Sequence, residues 1–440
     1  MMDWNKVKKQ IENTFNGTIL LAQDKKILLQ GAYGEASVQP HASMQLNQRF
    51  NLASVSKSLT ALGILLLVQE NKIKLDDDIN QWFAKLPYAN ITVRHLLQHT
   101  SGLPDYMELF ANHWNETTFA SNEDVLQLLT QYAPPRLFES GEQMVYSNTG
   151  YVLLSLLIER VTNKSFSEYM TEAIFKPLNM KHTTVTSTTF IEEYIYEIAQ
   201  GYVYDVYNGK YVNPVEFEET RGTVCLDYIT GDGGIYSTVE DLWKLGRAVI
   251  CAQLWNKELL EQAFAPSTLS AEQSFPYGMG WIIYEDEQLG KCVSHTGGWP
   301  GYATTLKIFL QSKTIFVFLR SKEQELTYEL AIEEAIEKAL KTNELVLPKK
   351  PKQLKAIHLS TELLEGYVGK YYLQEHPENA IEVVLQKNNH LYIYLPNTMP
   401  LELHAINENE FFLRNIGVLI TIKQNTLTVI DGDQKTIAIK

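Results

Sequence analysis

The chain has 440 residues, of which 45% are hydrophobic and 20% charged, and its formal net charge is −14. This is the composition of a globular protein long enough for two or three domains. The negative charge argues against nucleic acid or an anionic membrane as the main partner. The three cysteines are widely spaced and form no Cys-x-x-Cys pattern, which indicates reduced thiols rather than a disulfide framework.

No segment of the sequence predicts membrane insertion. The longest apolar run, residues 59–68, is about half as long as a membrane-spanning helix. The first residues, Met1–Lys9, lead into further polar residues without the apolar core of a signal peptide. We therefore expect a cytoplasmic protein without a membrane span, or an exported one if a signal peptide has been removed. The sequence leaves the oligomeric state open.

The first half of the chain begins with strands and continues as helices. Two short strands are predicted between residues 15 and 35, around Asp24-Lys25-Lys26. A long apolar helix follows from Ser54 and should run through the middle of the protein. From about 90 to 185 the pattern is mostly helical. Three helices are predicted there: Glu123–Tyr132, Gly150–Val161 and Ser165–Phe175.

The second half returns to strands. A hairpin is predicted over residues 201–213, with a tight turn at Asn208-Gly209. Four strands are predicted further on: Gly280–Ile283, Cys292–His295, Ala303–Leu310 and Thr314–Leu319. A helix near 323–341 follows, and the basic, proline-bearing stretch 348–352 reads as a linker. Beyond it, short alternating segments predict an all-β module.

Ser54 and Lys57 form the first motif that points to chemistry. Residues three apart on a helix share one face, so a neutral Lys57 amine could take the proton of the Ser54 hydroxyl and make it nucleophilic. Ser-x-x-Lys should occur by chance roughly once in a chain of this size. This is the only match in the chain, and it stands at the start of the buried helix.

Tyr146-Ser147-Asn148 is a second candidate motif. Tyr-x-Asn also occurs at residues 88–90 and 211–213, but only the match at 146 stands at a helix entrance, where side chains can point into a cleft. Tyr146 could pass protons, beside an amide of Asn148 that can orient substrate and Lys57. The alternative is an ordinary half-buried tyrosine at a helix start.

His295-Thr296-Gly297-Gly298 is the third motif, and it occurs once. A glycine beside a strand edge lets another backbone approach closely. If a substrate lies along this strand, the backbone N–H near Gly298 and that of Ser54 could form an oxyanion hole, in which each donor contributes roughly 3 kcal/mol. The alternative is a lone histidine at a strand end.

Taken together, the three motifs resemble the serine β-lactamase and penicillin-binding-protein family, in order and in separation. The stretches Ile91–Leu103 and Gly231–Thr238 are similar to the class C and esterase branch. The resemblance covers roughly residues 10–340, and the tail from about 360 is similar to a small β-barrel or lipocalin-like domain.

The resemblance implies an α/β (α+β) fold, in which an antiparallel sheet is flanked by helices and carries an inserted, mostly helical subdomain. The expected organisation is a hydrolase domain over 1–345 with the helical subdomain at about 86–200, a linker over 346–358, and an antiparallel β domain over 359–440.

The resemblance also implies a mechanism without a metal or other cofactor. Ser54 would attack an ester or amide carbonyl of a small molecule or peptide and form an acyl-enzyme. Lys57 and Tyr146 would move protons, and Asn148 would position the substrate. The remaining substrate-binding residues would be His295, Thr296, Gly297 and Gly298.

One departure from the family affects the expected substrate. Many β-lactamases carry lysine where this chain has His295, and a histidine is mostly uncharged near neutral pH. We therefore rank esterase or D-amino-acid peptidase activity above a dedicated β-lactamase or D,D-carboxypeptidase. A non-catalytic penicillin-binding or sensor protein that retains the fold is a further alternative.

Two other kinds of site are disfavoured. His95 and His99 have the spacing of zinc ligands, but no glutamate follows His95 and no third ligand is evident, so capping or packing is favoured. A Ser-His-Asp hydrolase would need a Gly-x-Ser-x-Gly elbow, which the chain lacks.

Overall fold

The computed structural model describes residues 2–38, 40–186, 194–270, 276–386, 389–395, 400–432 and 434–440. Contacts within the chain group it into two units. The larger unit consists of Asp3–Tyr202 and Asn213–Lys322, and the smaller one chiefly of Val203–Val212 and Glu323–Lys440. The domain boundaries expected near residues 345 and 359 stay a prediction.

The α-helices of the described residues are short to medium in length. In chain order they are α1 (Trp4–Gln10), α2 (Ser56–Gln69), α3 (Val93–Leu97), α4 (Tyr106–His113), α5 (Asn122–Tyr132), α6 (Asn148–Thr162), α7 (Phe166–Met170), α8 (Glu218–Arg221), α9 (Val239–Ile250), α10 (Lys257–Ala263), α11 (Leu326–Thr342) and α12 (Thr361–Tyr367).

Strands follow α1 near the start of the chain and dominate its last third. They are β1 (Gly17–Gln23), β2 (Lys26–Tyr33), β3 (Glu35–Ser37), β4 (Ala42–Ser43), β5 (Phe50–Asn51), β6 (Thr184–Val185), β7 (Val203–Asp205), β8 (Lys210–Val212), β9 (Ile235–Ser237), β10 (Ile282–Asp286), β11 (Gly290–Trp299), β12 (Tyr302–Phe309), β13 (Thr314–Arg320), β14 (Gly369–Leu373), β15 (Ala380–Leu385), β16 (Leu391–Tyr394), β17 (Leu401–Ala405), β18 (Glu410–Leu413), β19 (Leu419–Lys423), β20 (Thr426–Asp431) and β21 (Gln434–Ile439).

The larger unit is built on a six-stranded antiparallel sheet in the order β10-β11-β12-β13-β1-β2. Helix α9 packs on β13 and β1, and α1 packs on β2. The family's antiparallel sheet flanked by helices is therefore confirmed. Strand β11 continues through Trp299, whereas the sequence predicts its end at His295, because pairing with β12 carries it across Gly297-Gly298.

Helix α2 is the apolar helix expected from the sequence. Residues 56–67 of this helix are all buried, so it has no solvent-facing side over three turns. A helix that is apolar on every face must be surrounded by protein. Helix α6 packs against α2, α3 and α5, which joins the helical region to this core.

The smaller unit contains a closed barrel of the eight strands β14–β21, which confirms the all-β module predicted at the C-terminus. The hairpin β7–β8 is also present, but the tight turn predicted at Asn208-Gly209 is wrong. A four-residue loop joins the strands, because the Asp205 carboxylate accepts hydrogen bonds from the N–H groups of Tyr207 and Asn208. Only Gly209 has a positive φ there, of 67°.

Across the described residues, none of the helices combines the length and the apolar character needed to cross a lipid bilayer.

Candidate active site

Ser54 lies in a single 3₁₀ turn, Ala53–Val55, directly before α2. Ala53 has a φ of +47°, a left-handed conformation that costs a residue with a β-carbon about 1–3 kcal/mol. Its N–H donates to Oδ1 of Asn51 at 2.9 Å, and Asn51 lies on β5, which pairs with β9. The surrounding sheet therefore fixes the backbone at the serine.

Lys57 is completely buried beneath Ser54. Its Nζ lies 3.0 Å from Ser54 Oγ and donates to the backbone carbonyl of Asp232 at 2.8 Å. The same Nζ lies 4.9 Å from the ring centroid of Tyr146. The structure thus brings together the serine, lysine and tyrosine that the sequence singles out, and a proton can pass directly between Lys57 and Ser54.

His99 holds Tyr146 in place, a contact that sequence reasoning missed. The two ring centroids are 4.4 Å apart, and His99 Nδ1 accepts the N–H of Ser147 at 3.1 Å. Burial, together with the nearby charge of Lys57, lowers the pKa of His99 well below its usual value, so the ring is neutral. The sequence feature that could have pointed to His99 is its position within the stretch Ile91–Leu103, which resembles the family.

His95, the other member of the zinc-like pair, caps a helix. Its Nδ1 accepts the N–H of Thr92 at 3.2 Å, while the Thr92 hydroxyl accepts the N–H of His95. This reciprocal capping box begins α3. Both histidines therefore have hydrogen-bonded packing roles.

His295 is buried in the sheet. Its Nδ1 lies 2.6 Å from the carbonyl oxygen of Thr296, and its Nε2 lies 2.9 Å from the Tyr277 hydroxyl. Since a carbonyl can only accept, Nδ1 carries the proton and Nε2 accepts from Tyr277. Burial, with a smaller contribution from the charge of Lys57, lowers the pKa of His295 to about 3. The ring therefore supplies no positive charge to a substrate.

The register of β11 leaves part of its edge open. The Lys291 carbonyl accepts the N–H of Leu310, so odd-numbered residues of β11 direct their backbone groups towards β12. Even-numbered residues face the other edge, where β10 pairs only as far as Ser294. Thr296 and Gly298 lie beyond that point, and on this edge none of the described strands pairs with them. An extended substrate could add to this edge.

Gly297 brings this strand close to the nucleophile. A β-carbon at this position would lie 2.3 Å from the Leu52 carbonyl oxygen and 3.0 Å from the Ser54 nitrogen. Only a glycine permits that approach. The N–H groups of Ser54 and Gly298 consequently lie on neighbouring segments, as an oxyanion hole requires.

A cavity of about 280 Å³ opens in front of the serine. Ser54, Tyr146, Asn148 and Gly298 contribute to its wall, whereas His295, Thr296 and Gly297 do not. Its lining residues are Asn51, Ala53, Ser54, Tyr106, Met107, Tyr146, Asn148, Leu226, Asp227, Ile229, Asp232, Gly233, Gly234, Gly298 and Trp299. This size suits a small molecule or the end of a peptide.

Asn148 has two neighbours near the cavity. Its Nδ2 lies 3.5 Å from Oδ2 of Asp105 and 4.0 Å from the sulfur of Met107. The Asp105 carboxylate also accepts the N–H of Met107 at the start of α4, and burial raises the pKa of Asp105. Asn148 is therefore oriented by an acidic group.

Two further acidic residues line the cavity, and sequence reasoning did not identify either as part of the site. The Asp232 carboxylate accepts from the Tyr106 hydroxyl at 3.0 Å, and burial raises its pKa to about 6. The Asp227 carboxylate accepts from Trp299 Nε1 at 2.6 Å, and burial raises its pKa to about 7. Asp232 stands in a family-like stretch of sequence, whereas Asp227 carries no local signal.

Comparisons with known proteins show which proteins this chain is similar to. The model of the family described as Beta-lactamase matches residues 8–341. Penicillin-binding protein 4* of Bacillus subtilis (strain 168) is 37% identical over 407 residues, which cover 92% of this chain and 90% of that protein.

Solved structures show the same fold. The octameric penicillin-binding protein homologue from Pyrococcus abyssi matches with a TM-score of 0.64 and 25% identity, over 98% of each chain. The D-amino acid amidase from Ochrobactrum anthropi SV3, complexed with L-phenylalanine amide, matches with a TM-score of 0.60 and 24% identity, over 73% of this chain and 92% of the amidase.

Proposed function

Because the chain belongs to the beta-lactamase family and is a serine hydrolase of that family acting on amide or ester bonds, we propose that Ser54 is its nucleophile. The observation that supports this most strongly is the 3.0 Å contact between Ser54 Oγ and the buried Nζ of Lys57. A neutral amine so close can accept the hydroxyl proton as the oxygen attacks.

The acylation step follows from these positions. Ser54 Oγ forms a bond to the substrate carbonyl carbon, and its proton passes to Lys57. The carbonyl oxygen becomes an oxyanion that accepts hydrogen bonds from the N–H groups of Ser54 and Gly298. The bond to the leaving group then breaks, Tyr146 delivers a proton to that group, and Lys57 returns the serine proton to Tyr146. The product of this step is an ester between Ser54 and the acyl part of the substrate.

Deacylation repeats these steps with water as the nucleophile. Tyr146 and Lys57 together accept a proton from the water, which attacks the ester carbonyl in the same oxyanion hole. The bond to Ser54 Oγ breaks, and the serine recovers its proton. Asn148 holds the substrate at the other wall of the cavity.

The preferred substrate class is an ester or a D-amino-acid amide rather than a β-lactam. Two observations support this ranking. The neutral, buried His295 offers no charge to the carboxylate that penicillins carry, and a solved structure of similar fold is a D-amino acid amidase. A dedicated β-lactamase or D,D-carboxypeptidase is the second candidate, since the relative from Bacillus subtilis is named a penicillin-binding protein.

Parallel assays of wild type and Ser54→Ala test this proposal. We expect hydrolysis of p-nitrophenyl acetate that is lost in the variant, and slower turnover of a chromogenic cephalosporin. Efficient cephalosporin turnover without ester cleavage would reverse the ranking of substrates. A wild-type protein inert to every ester, amide and fluorophosphonate would favour the non-catalytic alternative.

A further inference from the structure

The charged residues around the cavity determine which charge a bound substrate can carry. Its fifteen lining residues include two aspartates and no lysine, arginine or histidine. The basic side chain of Lys57 lies nearby, but its Nζ is already engaged by Ser54 Oγ and the backbone carbonyl of Asp232. A third carboxylate, that of Asp105, lies against Asn148. An anionic group entering the cavity would therefore meet like charge.

The two lining aspartates differ in what they can offer a ligand. The Asp232 side chain is buried and bonded to the Tyr106 hydroxyl. Asp227 is partly exposed, and only its Oδ1 is engaged, by Trp299 Nε1. Its second oxygen accepts no hydrogen bond from the residues that the structure describes. One carboxylate oxygen is thus fixed while the other is free to accept.

Asp227 is also fixed relative to the substrate strand. Trp299, its hydrogen-bond donor, directly follows Gly298, whose N–H is one arm of the proposed oxyanion hole. A carbonyl oxygen in that hole would accept a hydrogen bond from the residue directly before Trp299, which is the residue bonded to Asp227. Asp227 lies in the wall of the same cavity.

We infer that this cavity recognises a positively charged amino group next to the scissile carbonyl, through the free carboxylate oxygen of Asp227. The inference rests on the proposed function, since it takes the cavity at Ser54 as the substrate site. The substrate class is then an amide or ester of an amino acid, or of a peptide, whose amino group is unblocked. An N-acylated or anionic analogue would lose this ion pair.

The raised pKa of Asp227 is consistent with such a partner. Burial raises it to about 7, and the Trp299 N–H opposes that rise only in part. An ammonium group next to the carboxylate would favour its charged form. The substrate would thus supply the cation that the wall of the cavity does not contain.

Kinetics with matched substrates test the inference. We compare D-alanine p-nitroanilide, which has a free ammonium group, with its N-acetyl and N-succinyl derivatives, which are neutral and anionic there. A charge-assisted hydrogen bond predicts a kcat/KM about tenfold or more higher for the free amine. In Asp227→Asn this preference should fall to about threefold or less, mainly through a higher KM for the free amine, because the negative charge is lost. The local structure should be kept, because the amide oxygen still accepts the hydrogen bond from Trp299.

Two variants separate recognition from a purely structural role. Glu108→Gln removes one exposed negative charge from α4 and should keep the preference. Asp227→Glu retains the carboxylate and should keep part of it. Equal preference in wild type and Asp227→Asn would overturn the inference, as would the same loss of preference in Glu108→Gln.

Failure of the inference can be told apart from failure of the proposed function. p-Nitrophenyl acetate is neutral, so its Ser54-dependent hydrolysis reports the chemistry without the amino group. Calorimetric titration of Ser54→Ala with D-alanine amide and N-acetyl-D-alanine amide reports recognition without chemistry. Tighter binding of the free amine supports the inference even if no substrate is turned over, and equal or undetectable binding of both contradicts it.

Discussion

A methyl group added at Gly297 should separate the substrate strand from the nucleophile. Its β-carbon would lie 2.3 Å from the Leu52 carbonyl oxygen, 2.5 Å from Thr304 Oγ1 and 3.0 Å from the Ser54 nitrogen. The carbonyl is backbone and cannot swing aside as a long side chain could. Ordinary contact therefore requires β11 to move by about 1 Å from the turn that carries Ser54, and displacements of that size cost about 10²-fold in rate.

We expect Gly297→Ala to lower kcat for p-nitrophenyl acetate by about 10²–10³-fold, because the oxyanion donors no longer converge. The free energy of unfolding should fall by about 1–3 kcal/mol, as in other overpacked sites. Steady-state kinetics and urea denaturation at one pH measure both quantities. Circular dichroism checks that the variant is folded.

The neighbouring glycine provides the control. A β-carbon at Gly298 would meet nothing within 4 Å, so Gly298→Ala should lose less than about tenfold in kcat/KM and less than about 1 kcal/mol of stability. A folded Gly297→Ala variant within threefold of wild-type kcat/KM would refute the reasoning about the oxyanion hole. Equal losses in the two variants would refute it as well.

Three further predictions concern the groups around the nucleophile. Tyr146→Phe keeps the ring on His99 and should lower kcat by about 10²–10⁴-fold without changing the melting temperature; a loss below threefold would assign all proton transfer to Lys57. His295→Lys should have a free energy of unfolding about 3 kcal/mol or more lower than that of His295→Gln in urea denaturation, because it buries a cation at a position that is 2% exposed. Equal stability of the two variants would contradict the burial argument. Asp227 has a pKa raised from 3.8 to about 7, so its ionisation destabilises the fold as pH rises from about 4 to 7. Asp227→Asn should therefore be more stable than wild type by roughly 2–4 kcal/mol at pH 8, with the difference vanishing near pH 4; a difference independent of pH would contradict this sign.

The elements that local pattern specifies were predictable from the sequence. Helix α2 is apolar on every face, and apolar and polar residues alternate in the hairpin β1–β2 on either side of polar turn residues. Each element can therefore be predicted from its own sequence alone. The three motifs were also predictable, because the Ser54–Lys57 spacing places both side chains on one helical face.

Features set by distant contacts were not predictable. The ring of His99 contacts that of Tyr146, 47 residues further along the chain. Asp227 accepts a hydrogen bond from Trp299, 72 residues further along. No periodicity encodes such pairs. Likewise, β11 passes through two glycines that favour a break, because pairing with β12 outweighs their local preference.

The measurement that tests the central claim most directly is mapping the covalent adduct formed by a fluorophosphonate. Mass spectrometry of the intact protein and of its peptides should find one adduct, on Ser54, formed slowly in Gly297→Ala and absent in Ser54→Ala. An adduct on a different residue, or equal labelling of Ser54→Ala, would contradict the assignment of Ser54 as the nucleophile.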